Sequence, residues 1–371
     1  MKFTIDSGEL VRHFTSLAVI DGVSLDERRI ADHITALVKS CGGKVVEDGA
    51  AAVVNGNTGN LICFPPGYDA AKPAIALCAH LDTVQPTKNL RPVVTAERIT
   101  SSGDTILGGD DREGLAAITY LLKHLPELGS PVRNFIMVFT VAEELGMYGA
   151  NAVDLTPYNV TEAYIFDCSK RPGIYIKDSP GCLLFTAEFH GKASHAGVAP
   201  EEGLSAIGLA ARAIASVRFG RIDAETTSNI GTITGGSATN VVADRCTVQG
   251  EIRSFTQERI DREYRLVQEA FRAALNGEGS VTFTQAMDFH PYVLPPDSPV
   301  VRTAEAAIAA VGLTPTGIRY TGGSDANSYN AKGVPAVNLG TGAQKPHSHE
   351  EFVLIQDLIT STEIAREIIT R

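Results

Sequence analysis

Four short apolar runs in this chain each stop at a histidine or a carboxylate. Ala74–Ala79 (AIALCA) stops at His80, and Phe135–Ala142 (FIMVFTVA) stops at Glu143 and Glu144. Ala163–Phe166 (AYIF) stops at Asp167, and Val334–Leu339 (VPAVNL) leads through a Gly/Thr loop to Pro346-His347-Ser348-His349. Runs that are apolar at every position, rather than alternating, suit strands buried on both faces of a mostly parallel sheet. Helical segments fall between them, at Glu113–Leu125 and Val301–Val311. The pattern predicts an α/β fold whose mixed, mostly parallel sheet is sandwiched by helices. An earlier helix is expected after Ser24-Leu25-Asp26-Glu27, where Ser24 and Glu27 have capping-box spacing, with Ile30, Ile34, Leu37 and Val38 on its apolar face and Cys41-Gly42-Gly43 ending it.

The middle of the chain has another rhythm. From Cys182 to Met287 the order reads strand (CLLFTAEFHG), helix (GLSAIGLAARAIASV), strand (NIGTITG), strand (RCTVQGEIRS), helix (QERIDREYRLVQEAFRAAL), strand (SVTFTQAM). A βαββαβ order marks a ferredoxin-like sheet with helices on one face. Pro180-Gly181 and the proline-rich stretch from Pro291 to Pro299 bracket it. The expected organisation is a catalytic domain in two parts, 1–180 and 293–371, with a lid domain, 181–292, inserted between them.

Ligands of open α/β sheets bind just beyond the carboxyl ends of the strands. His80, Glu143, Glu144, Asp167 and His347 are expected at that edge. Asp110, in the turn Gly108-Gly109-Asp110-Asp111 before a helix, joins them. Each alone is ordinary: strand ends often carry a hydrogen-bonded histidine, and paired acids often lie on a solvated helix start. Together they would desolvate several carboxylates at once, which is costly without a compensating cation. Imidazole and carboxylate donors without thiolate are the mixture of a catalytic zinc site. Two histidines and three carboxylates are too many for one tetrahedral ion with an open position, and they suit two ions sharing one carboxylate. No GxSxG elbow is present to support a serine hydrolase.

Charge and cysteine usage limit the setting. With 32 Lys and Arg against 43 Asp and Glu, the net charge is −11, which argues against nucleic acid or an anionic membrane as partner. No apolar stretch reaches the roughly 18 residues of a membrane span. The opening MKFTIDSGEL lacks the basic and apolar regions of a secretion signal. The six cysteines are scattered, without a CxxC pair, as expected of reduced thiols. A cytoplasmic protein is expected.

Three strings then carry a resemblance. Ala79-His80-Leu81-Asp82-Thr83-Val84, Gly109-Asp110-Asp111-Arg112-Glu113-Gly114 and Thr140-Val141-Ala142-Glu143-Glu144-Leu145-Gly146 resemble, in order and spacing, the signatures of a co-catalytic zinc exopeptidase and deacylase family. That family includes peptidase T, succinyl-diaminopimelate desuccinylase, glutamate carboxypeptidase and aminoacylase. Arg112 stands where lysine is usual. The C-terminal His347-Ser348-His349-Glu350-Glu351-Phe352-Val353 is most similar to peptidase T-like members. The resemblance implies two zinc ions per subunit, with cobalt or manganese able to serve the same donors. His80 and Asp167 would hold one ion, Glu144 and His347 the other, and Asp110 would bridge them. His347 is preferred over His349 because the family places this ligand four residues before a glutamate, here Glu351. Asp82 would orient the His80 ring, and Glu143 would be the general base. His195, in Gly191-Lys192-Ala193-Ser194-His195-Ala196-Gly197 on the lid, would be the external oxyanion donor, reaching a site formed with a partner subunit in a homodimer. Arg253 and Asn240 would bind substrate, and Gly322-Gly323-Ser324-Asp325 would line the pocket. The implied activity is hydrolysis of short peptides by a tripeptide aminopeptidase-like enzyme. An N-acyl amino acid deacylase or a carboxypeptidase with the same metal centre is the alternative.

Overall fold

The computed structural model describes residues 3–129 and 131–371 and divides the chain into two compact units, Met1–Asp178 with Val293–Arg371, and Ser179–Tyr292. In the first unit a mixed sheet runs in the order Lys44–Glu47, Leu61–Phe64, Phe135–Thr140, Ala74–His80, Val160–Cys168, Ala336–Gly340, Ile174–Ser179. The four central strands, from Phe135–Thr140 to Ala336–Gly340, are mutually parallel. The flanking pairs are antiparallel. Every residue of Ala74–His80, Phe135–Thr140 and Ala336–Gly340 is buried, as uninterrupted apolar runs require. Helices cover the sheet. Gly109–Lys123 lies on Ala74–His80 and Val160–Cys168, and packs in turn against Ser7–Ala18 and Ile355–Ile369. A small sheet of Val93–Val94, Arg98–Thr100 and Phe352–Leu354 fixes the segment that follows His347.

One expected start is corrected. The helix Arg28–Ser40 has Glu27 at its N-cap position, and no side chain caps it. Ser24 instead donates its hydroxyl to Asp82 Oδ2 at 2.6 Å, and Glu27 Oε1 accepts the amides of Leu25 and Ala142. Both residues of the expected capping box therefore reach distant partners, Asp82 and Ala142, instead of each other's backbone. The short strands Ile174–Ser179 (IYIKDS) and Thr316–Arg319 (TGIR) gave no legible signal, because neither is an uninterrupted apolar run or a regular alternation.

The second unit is an antiparallel sheet in the order Gly220–Arg221, Thr226–Gly235, Arg245–Ser254, Gly181–His190, Ser280–Phe289. Gly220–Arg221 is an addition to the expected four strands. Helices Ala206–Ala215 and Gln257–Ala273 share a core with the sheet through Phe185, Phe189, Leu209, Val248, Val267 and Phe271. Ser205 and Thr256 cap the two helices by accepting the amides of Gly208 and Arg259. Among the described residues, no helix is long and apolar enough to cross a membrane.

Candidate metal centre

The parallel register delivers the first donors. His80 is the last residue of its strand and pairs with Thr140, so the loop after Thr140 leaves the sheet beside the imidazole. Asp167 is the last residue but one of the neighbouring strand, Val160–Cys168. Asp110 comes from the start of the helix Gly109–Lys123, where Asp110 (φ −82°, ψ 105°) and Asp111 (φ −118°, ψ 41°) are not yet helical. His347 lies on the loop beyond the strand Ala336–Gly340, in the left-handed region at φ 64°.

These side chains converge. His80 Nε2 is 3.1 Å from Asp110 Oδ1 and 3.6 Å from Asp167 Oδ1. His347 Nε2 is 3.4 Å from Asp110 Oδ2 and 3.0 Å from Glu144 Oε1. Asp110 thus turns one oxygen toward each histidine, with Asp167 beside the first and Glu144 beside the second. Asp82 Oδ1 stands 3.3 Å from His80 Nδ1, though that ring nitrogen has no aligned hydrogen bond. The two Asp82 oxygens accept the amides of Glu143 and Glu144 at 3.0 and 3.2 Å. Asp82 therefore fixes the loop that carries both glutamates as well as facing the ring. Glu143 makes no side-chain hydrogen bond within the described residues. With Asp110, Glu144, Asp167, Tyr320, Asn338 and His347 it lines a cavity of about 210 Å³. A cleft of about 570 Å³ around Pro65–Tyr68 and Leu122–Pro126 is larger but is lined by no histidine or carboxylate among the described residues.

Burial sets the electrostatics. It pushes Asp167 up to about 8, with the Asp110 charge adding to the effect. It also raises Glu143, with Asp167 reinforcing the shift. Burial raises Glu144 too, which His347 partly offsets. At His80 burial disfavours the cation, yet Asp110, Asp167 and Asp82 outweigh it and hold the ring well above its ordinary pKa. Asp110 and Glu144 lift His347 to about 10. Four carboxylates this close and this dry call for positive charge. The donor set also leaves a buried acceptor unused: Glu144 Oε1 makes no aligned hydrogen bond. His80, Asp110 and Glu144 bring one donor atom each within 4.8 Å of one another, as do His80, Asp111 and Asp167. These residues therefore fit metal ions. Within the second trio Asp111 is the poorer donor, because its oxygens already accept the amides of His80 and Gly114 at 3.0 Å each. The doublet is plain in the sequence. The division of labour within it depends on which amides lie opposite, and no local pattern reveals that.

Residues 76–371 match peptidase family M20/M25/M40. The chain is 33% identical over 366 residues to YqjE of Bacillus subtilis, covering 98% of each protein. The chain belongs to the M20/M25/M40 peptidase family. It overlays the crystal structure of aminopeptidase PepT from Bacillus cereus with a TM-score of 0.90 at 34% identity, covering 99% of this chain and 98% of that one. With a tripeptidase from Staphylococcus aureus the TM-score is 0.91 at 33% identity, covering 99% of each. As an M20 family member the chain is a metallopeptidase, and the mixed sheet with a separate ferredoxin-like unit is the family's fold.

Three further expected site residues, His195, Asn240 and Arg253, lie in the second unit. His195 is exposed and bridges to Val241, while the Ala196 amide donates to the Asn240 carbonyl, so His195 and Asn240 sit on adjoining loops. Arg253 lies on the strand Arg245–Ser254, and its guanidinium donates to both oxygens of Glu251 at 3.0 Å. Gly322 and Gly323 line the 210 Å³ cavity, Ser324 caps the helix Asp325–Ala331, and buried Asp325 accepts the Thr140 hydroxyl.

Proposed function

We propose that this chain is a two-metal exopeptidase that removes the N-terminal residue from short peptides, free tripeptides first among them. The observation that carries the reading is the placement of Asp110, with one oxygen 3.1 Å from His80 and the other 3.4 Å from His347. In this reading His80 and Asp167 hold one ion, Glu144 and His347 the other, and Asp110 lies between. Zinc is the expected metal, with cobalt or manganese suiting the same donors. When bound, the ions lower the pKa of water and polarise the scissile carbonyl. The chain's own part is positioning and proton transfer. Glu143, in the cavity wall with its backbone held by Asp82, takes a proton from the attacking water and passes it to the departing nitrogen. His195 is the proposed oxyanion donor and Asn240 a substrate contact beside it. Arg253 would take a peptide carboxylate only by releasing Glu251. The names of the aminopeptidase and tripeptidase relatives, similar over nearly the whole length, support a peptide over an N-acyl amino acid. We further propose a homodimer joined through the second unit, and a cytoplasmic location, which suits six free cysteines.

The test is purified protein, chelated and then restored with zinc, against tripeptides, N-blocked tripeptides and N-acyl amino acids. Metal-dependent release of the first residue, abolished by blocking the amine, is the expected result. Cleavage of N-acyl substrates instead would move the function to a deacylase. Glu143→Gln is expected to keep both metals and lose about 10²–10⁴-fold in kcat. Undiminished turnover in that variant would remove Glu143 from the reaction.

A further inference from the structure

The segment that carries His347 contains a second acid that the proposed reaction does not use. Glu351 is 1% exposed. Its Oε2 accepts the amides of Leu107 at 3.0 Å and Gly108 at 2.8 Å, and its Oε1 accepts the amide of Asp110 at 3.1 Å. One carboxylate thus holds three amides of the turn that presents Asp110, across 241 to 244 residues of sequence. Burial raises the pKa of this acid, and the three N–H donors oppose that by favouring the carboxylate. The turn has little slack. Gly108 sits at φ 69°, where a side chain would be strained, and a Cβ on Gly109 would stand 2.8 Å from Val353 Cγ2 and 3.2 Å from Glu351 Oε1.

The other side of the clamp is equally fixed. Gln344 and Phe352 exchange backbone hydrogen bonds of 2.9 and 3.1 Å, closing a loop with Glu351 at its base and His347 within it. Phe352–Leu354 then continues as a strand against Arg98–Thr100. Inside the loop the Ser348 hydroxyl donates to the Lys345 carbonyl, and the Glu351 amide donates to the Ser348 carbonyl. The position of Glu351 therefore governs where His347 stands as well as where Asp110 stands.

We propose that Glu351 is a positioning residue for the metal centre, setting Asp110 and His347 against each other from a single buried carboxylate. The inference rests on the two-metal reading. His80 and Asp167 have other supports, since the His80 amide is held by Asp111 and Asp167 is anchored in its strand. The ion held by Glu144, His347 and Asp110 is therefore the one that loses most when Glu351 is altered. Glu351→Gln keeps the shape but replaces one acceptor oxygen by a donor that faces backbone N–H groups. Glu351→Ala removes the clamp.

The experiment is a zinc titration in competition with a chromophoric chelator, on wild type, Glu351→Gln and Glu351→Ala, with unfolding of the metal-free proteins measured alongside. Wild type is expected to hold two ions. Glu351→Gln should raise the dissociation constant of at least one ion by about 10- to 100-fold, the usual effect of losing a residue that orients ligands. Excess zinc should then restore kcat, which it cannot do for Glu143→Gln. A purely structural role would lower the stability of the metal-free protein and leave zinc affinity unchanged. Two ions in wild type, with both affinities in Glu351→Gln within about tenfold of it, would overturn the proposal alone. Fewer than two ions in wild type would overturn the two-metal reading and this inference with it.

Discussion

Asp82 shows how much one buried carboxylate can organise. It accepts the Ser24 hydroxyl and the amides of Glu143 and Glu144, and it faces His80 Nδ1. Its burial raises the energy of the anion, but the His80 contact outweighs this and keeps the pKa below the ordinary value. Asp82→Ala would strip the Glu143 and Glu144 amides of their acceptor and release the His80 ring. The expected outcome is a loss of about 10- to 100-fold in metal affinity, read by the same chelator competition. Unchanged affinity would reduce Asp82 to a turn residue. The convergence of the proposed donors His80, Asp110, Glu144, Asp167 and His347 was legible because each follows an apolar run or a glycine turn, and strand ends of a parallel sheet meet at one edge. The roles of Asp111 and Glu351 were not, because both act on backbone amides, which look alike at every position of a sequence.

At the scale of elements, the contact between Ser7–Ala18 and Gly109–Lys123 matters because the second of these helices starts at the metal centre. His13 is buried in that interface, with Nε2 2.7 Å from Thr119 Oγ1. The threonine hydroxyl donates to the Leu115 carbonyl, so it accepts from a neutral imidazole carrying its proton on Nε2. Burial, aided by the Lys123 charge, depresses the His13 pKa to about 4. In the unfolded chain the ring titrates near its ordinary 6.5. Between those values the unfolded chain binds a proton that the folded chain does not. Stability from this residue is therefore full above pH 6.5 and is lost on acidification toward pH 4, by on the order of 3 kcal/mol. Urea unfolding of metal-free protein across that range should show a shallower pH dependence for His13→Leu than for wild type. Identical slopes would mean the ring is protonated in the fold. None of this was visible beforehand, since a histidine on an apolar helix face reads the same whether its partner is water or a threonine 106 positions away. The elements of the second unit were legible for the opposite reason. From Leu183 on, Gly181–His190 alternates buried residues with half-buried or exposed ones, and Gln257–Ala273 buries Ile260, Tyr264, Val267 and Phe271 at helical spacing, so both periods are long enough to read.

For the whole molecule, the decisive fact is that the chain leaves the first unit and returns to it at one place. The Leu294 amide donates to the Lys177 carbonyl at 2.8 Å, so the two ends of the first unit are already paired. The two ends of the second unit also meet, since a Cβ on Gly181 would stand 2.5 Å from Pro291 Cδ. Each unit has its own hydrophobic core, and the one around Phe189 and Phe271 draws only on residues of the second unit. Removing 179–292 and joining Asp178 to Val293 through a two-glycine turn therefore takes out the second core entire and leaves the core of the first unit whole. All five proposed metal donors, Asp82, Glu143 and Glu351 lie in the part that remains, while His195, Asn240 and Arg253 are removed. The shortened chain is expected to bind two zinc ions with wild-type affinity and to lose at least 10²–10³-fold in kcat for tripeptides, the usual effect of losing an oxyanion donor. Zinc titration and peptide assays on one preparation separate the two functions. Metal binding without turnover would assign the completion of the reaction to the inserted unit. Turnover at the wild-type rate would show that His195 and its neighbours take no part in the chemistry, and that the metals with Glu143 suffice.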